Sequence, residues 1–116
     1  MSRAAFSRRE PVESPAPVVA TQTDDSYVIR LEEPLDTAAC RELELRLAEA
    51  EASGAPRILL DVDDLESLDA SALHVILRAS RRSAGGRGRL RITRGNGYVA
   101  EIFRLTALDR TLPFDD

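Results

Sequence analysis

The stretch "ILLDVDDLESLDASALHVIL", residues 58–77, passes from an apolar run through an acidic one and back into an apolar one. Its opening, within "RILLDV", is a short apolar run of the kind that forms a buried strand. The acidic "DDLES" that follows reads as a loop, and Asp69 then stands where a helix cap belongs. Behind it Leu73, Ile76 and Leu77 recur at helical spacing and are expected to form the inner stripe of the helix. With Asp69 as cap, Ser71 is the second helical residue and carries its hydroxyl on the exposed rim of the first turn.

The pattern extends in both directions. Upstream, "PVVATQ" and "YVIRL" read as two strands joined by the turn "DDS", a hairpin. Asp36 and Thr37 can accept the free N–H groups of a helix start, and Ala39, Leu43, Leu47 and Ala50 follow at helical spacing until "SGAP" at 53–56 ends the helix. Downstream, Arg81 and Arg82 sit where the helix dipole favours cations, and "GGRG" breaks the chain. "RLRIT" alternates as a half-buried strand, "GNG" turns it into a helix with Val99, Ile102 and Phe103, and "RTLPF" predicts an edge strand that Pro113 interrupts. The order β-β-α-β-α-β-α-β implies an α/β (α+β-like) domain over residues 16–116, a small mixed sheet of four to five strands backed by helices. Residues 1–15, polar and holding Pro11 and Pro15, read as a flexible tail.

Composition narrows the function. Hydrophobic residues at 43% and charged residues at 31% are the balance of a soluble globular protein, and no apolar run approaches the ~20 residues of a membrane span. The N-terminus lacks a continuous apolar segment behind its basic residues, so no secretory signal is expected, and the single Cys40 cannot form an internal disulfide. Both favour the cytoplasm. The net charge of −4 arises from 20 acidic residues against 16 basic ones, all Arg, which offers no general attraction to nucleic acid. A protein partner is expected rather than DNA or a membrane.

Four candidate sites each have a plainer reading. Ser71 and His74 lie three apart on one helix, but a nucleophile–base pair also needs an orienting group and oxyanion donors, and no second half of such a site is evident. "GNGYVA" matches the G-x-G-x-x-A variant of the dinucleotide fingerprint, with Asp115 twenty residues after Gly95, yet reads more simply as a strand-to-helix turn. Asp61, Asp63, Asp64, Glu66 and Asp69 lack the glycine and terminal glutamate spacing of an EF-hand and read as a solvated loop, with no metal or cofactor. Cys40 falls on the apolar stripe of the first helix and reads as a small core residue.

Strand, acidic loop, then Asp69-x-Ser71 opening an apolar helix resembles the STAS domain of anti-sigma factor antagonists, where the matching stretch is Asp-Ser-Ser-Gly-Leu. Asp69 matches the Asp, Ala70 the first serine, Ser71 the second, Ala72 the glycine and Leu73 the leucine. "EEPLDTAACRELELRL" is similar to the family's Gly-Glu-Leu-Asp turn and first helix, and "IFRLTALDRTLPF" to its Leu-Thr-Gly-Leu-Asp close. The resemblance implies a bacterial signalling protein of transcription regulation. In that family the second serine is phosphorylated by a partner that is both anti-sigma factor and serine kinase, so the resemblance implies that role for Ser71 here. By the same resemblance the unmodified protein is expected to sequester that partner and free a sigma factor, with phosphorylation blocking the binding; a phosphatase that reverses it is a further implied partner.

The expected partner surface comprises Asp36, Asp69, Ala70, Ser71, Ala72 and His74, with Asp36 acting through the surface rather than through stability. The chain is expected to act as a monomer or weak homodimer, without a catalytic residue of its own. Pro34, Ala72 and Ala107 depart from the pattern. Ala72 is expected to narrow the room for an approaching kinase or phosphatase, and Ala107, if left-handed, to cost about 1 kcal/mol relative to glycine. A last helix common in the family would lie beyond Asp116, so a less covered sheet edge is expected. The alternative within the family is a constitutive accessory or scaffold subunit, in a lipid-transporter or signalling complex, with no phosphorylation switch.

Overall fold

In the computed structural model of the protein, residues 11–12, 18–85 and 88–115 are described. Alternation decides the strands: β2 (Val18–Gln22), β3 (Ser26–Leu31), β4 (Arg57–Asp61) and β5 (Leu90–Ile92) each turn every second side chain to one face. Together with the two-residue β1 (Pro11–Val12) they form one sheet in sequence order, β1 to β3 antiparallel and β3 to β5 parallel. The register places Ile29 beside Leu60 and Leu60 beside Ile92, so apolar rows run straight across the parallel strands.

Helices α1 (Thr37–Ala52), α2 (Ala70–Gly85) and α3 (Gly97–Leu105) follow β3, β4 and β5. Right-handed crossovers that always step the same way along the sheet carry every helix to one face. Burial agrees: Tyr27, Ile29, Leu31, Ile58, Leu60, Leu90 and Ile92 are buried, whereas Val19, Val28 and Leu59 on the opposite face are only half-buried, beside Arg30 and Arg91 in the open. Leu43 and Leu47 of α1, Ile76 of α2, and Val99 and Phe103 of α3 fill the layer between. The Tyr27 hydroxyl reaches the rim of this layer and donates to Glu49 Oε1 at 3.0 Å. Desolvation, reinforced by the Glu49 carboxylate, pushes its pKa up to about 12. Arg89 closes the far end of α1 by donating to the carbonyls of Glu51, at 3.0 Å, and Ala55.

Several details differ from the sequence expectation. Pro11–Val12, assigned to the tail, pairs with Thr21 and Ala20 of β2; the rest of residues 1–15 lies outside the described residues. β4 is buried on one face only, because among the described residues no helix covers the other side of the sheet. The inner stripe of α2 is Ala72, Val75, Ile76 and Ala79, one residue earlier than expected, while Leu73 and Leu77 pack at its flank. Two alanines let the helix lie close against its neighbours, a fit that hydrophobicity alone does not reveal. The last strand is reduced to a parallel bridge between Ile92 and Phe114 after a 3-10 turn at Leu108–Arg110. Pro113 does not interrupt it: Ile92 N–H donates to the Pro113 carbonyl at 2.9 Å, and Asp115 N–H to the Ile92 carbonyl at 2.8 Å.

Ala107 follows the cap of α3 with φ 63° and ψ 14°, the left-handed conformation in which helices commonly end on glycine. Its side chain is exposed, so little packing offsets the strain. Ala107→Gly is therefore expected to stabilise the protein by about 1 kcal/mol in urea denaturation, and an unchanged midpoint would show the strain to be absent.

Candidate functional site

The carboxyl ends of the parallel strands are where open α/β sheets present their binding loops, and three loops converge there. α1 and α2 begin side by side from two of them. The ion pairs Glu44–Arg78 and Glu51–Arg82 (3.7 Å for the second) climb both helices together, so α1 and α2 run parallel.

Their starts are built alike. Asp36 Oδ1 accepts the Ala39 N–H at 2.9 Å and its carbonyl the Cys40 N–H at 2.9 Å. Asp69 Oδ1 accepts the Ala72 N–H at 3.0 Å and its carbonyl the Leu73 N–H at 3.0 Å. Both aspartates are therefore N-caps, and the expectation that Asp36 acts only through the surface is corrected: its carboxylate satisfies an otherwise free donor of α1.

Ser71 sits exposed at the second position of α2, as the capping pattern requires. It opens onto a groove of about 500 Å³ between the helices, lined from α1 by Thr37, Cys40, Arg41 and Glu44 and from α2 by Ala70, Ser71, His74 and Arg78. Asp36, Asp69, Ala70 and His74 are exposed around it. Ala72 is not: it is 0% exposed, so its methyl group belongs to the core and narrows no approach from outside. That corrects both expectations for this residue. The inward turn of α2 at position 72 takes it away from the surface that Ser71 occupies.

Cys40 lies on the groove floor at 7% exposure. Burial first, and then the carboxylates of Asp69, Asp36 and Glu44, push its thiol pKa up and leave it a poor nucleophile. Among the described residues Ser71 and His74 share no hydrogen bond.

The acidic loop spends its polar groups locally. Asp61 Oδ1 accepts the Asp63 N–H (2.9 Å), Asp63 Oδ1 the Gly95 N–H (3.2 Å), and the Asp63 carbonyl accepts from Asn96 Nδ2 (3.0 Å). Gly95 is confined to glycine twice over, by φ +76° and because a Cβ would lie 2.8 Å from Val99 Cγ1. "GNGYVA" is thus a tight strand-to-helix turn tied to the neighbouring loop.

Glu33, which sequence reasoning missed, makes the other tie. Its Oε2 accepts the N–H groups of Glu66 at 2.8 Å and Ser67 at 3.1 Å, holding the loop before α2 against the loop before α1. No spacing could have signalled it, because its partners are 33 and 34 residues away in the chain. Arg41 was missed as well; its charge on a solvated helix face gave no cue.

The STAS domain family profile matches residues 17–116, nearly the whole of the described fold. The chain belongs to the STAS domain family. No curated protein sequence matches it significantly. Solved structures agree on the fold. The anti-sigma factor antagonist SpoIIAA in its unphosphorylated form superposes with a TM-score of 0.66 at 18% identity, over 93% of this chain and 88% of that one. An anti-sigma factor antagonist from Mycobacterium paratuberculosis gives 0.71 at 19% identity over 89% of each chain. A serine-to-glutamate variant of RsbS from Moorella thermoacetica gives 0.68 at 23% over 86% of each. Among the described residues of this STAS domain no helix is long and apolar enough to cross a membrane.

The two caps have a measurable consequence. Asp36→Ala and Asp69→Ala are each expected to cost about 1 kcal/mol in chemical denaturation, the usual loss for an N-cap. If Asp36→Ala melts with the parent protein, the first helix start carries no such bond in solution.

Proposed function

We propose that this STAS domain is an anti-sigma factor antagonist that acts in the cytoplasm as a phosphorylation-controlled binding protein. Unmodified, it sequesters an anti-sigma factor that is also a serine kinase and so frees a sigma factor; phosphorylation of Ser71 ends the binding. The observation that carries this reading is the exposure of Ser71 at the capped start of α2, on the rim of an open groove between two helix starts. Family membership and the kinship in fold with antagonists support it.

The physics of the switch follows from charge. A neutral serine can be covered by a partner at little electrostatic cost. A phosphoserine brings nearly two negative charges into a rim that already holds Asp36 and Asp69, and covering that cluster requires desolvating it. A penalty of only ~4 kcal/mol weakens binding about a thousandfold. The fold survives, because α2 is anchored by its own cap and buried stripe rather than by the serine hydroxyl. The partner surface comprises Asp36, Asp69, Ala70, Ser71 and His74.

Incubation with ATP and the cognate anti-sigma kinase is expected to place a single phosphate on Ser71. Ser71→Ala blocks it and keeps partner affinity, whereas Ser71→Asp lowers affinity only in part, since a carboxylate is smaller and carries one charge. Phosphate mapped to Ser67 or Ser80 overturns the site. Unchanged affinity of Ser71→Asp by calorimetry favours a constitutive accessory subunit.

A further inference from the structure

The groove beside Ser71 has charged walls. α1 and α2 run parallel from the same end of the sheet, so Arg41, one turn into α1, lies level with the first turns of α2. Arg41 lines this groove and also borders the neighbouring depression formed by Thr37, Ala38, Glu42 and Leu45, and because helical side chains lean toward their own N-terminus its guanidinium is within reach of the rim where Ser71 stands. His74 is three residues after Ser71 on the same face of α2 and leans the same way. Among the described residues neither Arg41 nor His74 has a hydrogen bond or ion pair, although both line the groove. Arg78 lines it one turn lower and is already held by Glu44. The helix start itself has less to offer, because Asp69 has taken the Ala72 N–H.

We infer that a phosphate on Ser71 is received within the same chain, by the Arg41 guanidinium across the groove and the His74 ring beside it. This rests on Ser71 as the modified residue and adds what the modification does. The phosphoserine turns into the groove instead of projecting from it, fills the space between the helix starts and engages the Arg41 guanidinium and the His74 ring that a partner could otherwise meet. Phosphorylation thus changes the shape of the rim as well as its charge, and it bridges α1 to α2 where, among the described residues, no bond joins their first turns.

The charges around the site give the inference a sign. Asp36, Asp69 and Glu44 face the same space, and with the Cys40 thiol neutral these carboxylates alone would disfavour the dianion and move its second ionisation above the ordinary value near pH 6. Direct contact with Arg41 and His74 moves it below. Phosphoserine can be incorporated at Ser71 during translation, with no kinase, and its 31P resonance titrated.

The expected midpoint lies below about pH 6 and rises by about half a unit or more in Arg41→Ala and in His74→Ala, with a smaller change in Arg78→Ala. A parent midpoint at or above that value, or equal shifts in all three variants, overturns the inference, the second because it would mean diffuse attraction without a contact. The result is independent of the switch itself. A protein whose kinase never modifies Ser71 refutes the proposed regulation and leaves the 31P titration to be judged by its own outcome.

Discussion

One-sided burial of the sheet is the constraint on which the rest depends. The inward row of Tyr27, Ile29, Leu31, Ile58, Leu60, Leu90 and Ile92 is covered by helices that all arrive from one direction, and the opposite face stays partly open. Burying a single such side chain is worth roughly 1.5–3 kcal/mol, so no arrangement of the helices that exposes this row can compete. Once α1 and α2 must both cover it, they lie side by side and parallel, and their starts meet at the carboxyl ends of β3 and β4. The groove at Ser71 is a product of that packing.

Polar groups at this end then fix what packing leaves loose. Glu33 ties the loop before α1 to the loop before α2, and Asp63 ties the latter to the turn before α3. A carboxylate accepting two backbone N–H groups is a strong local bond, and each tie joins segments that are far apart in sequence. Two identical aspartate caps finish the helix starts. A serine held this way presents its hydroxyl from a rigid position, which is what recognition by another protein needs. The same rigidity lets a charge be added there without unravelling the helix beneath it.

Charge is unevenly shared along the chain, and the groove shows why that matters. Residues 70–100 carry arginines and no acidic residue, whereas the loops at the carboxyl end of the sheet are rich in carboxylates. The face around Ser71 lies where the two meet: Asp36, Asp69 and Glu44 stand close to Arg41, His74 and Arg78. Within it Arg78 is already paired with Glu44.

What the sequence determined by itself are the features whose physics is local. Alternation in "YVIRL" and "RLRIT", the 3.6-residue spacing of Leu43 and Leu47, and the caps Asp36 and Asp69 all depend on neighbours within a few residues, so strands, helices and the exposed place of Ser71 were legible. Tertiary structure decided whatever depended on distant partners. Which side of α2 turns inward was settled by how closely Ala72 and Ala79 let it pack, and that moved Ala72 from the surface to the core. Pro113 joined the sheet edge because its carbonyl, not its missing N–H, met Ile92. Glu33 and Arg41 acquired their places only when the crossovers brought α1 and α2 together, since a side chain's partners across a groove are set by the path of the backbone and leave no periodic mark in the sequence.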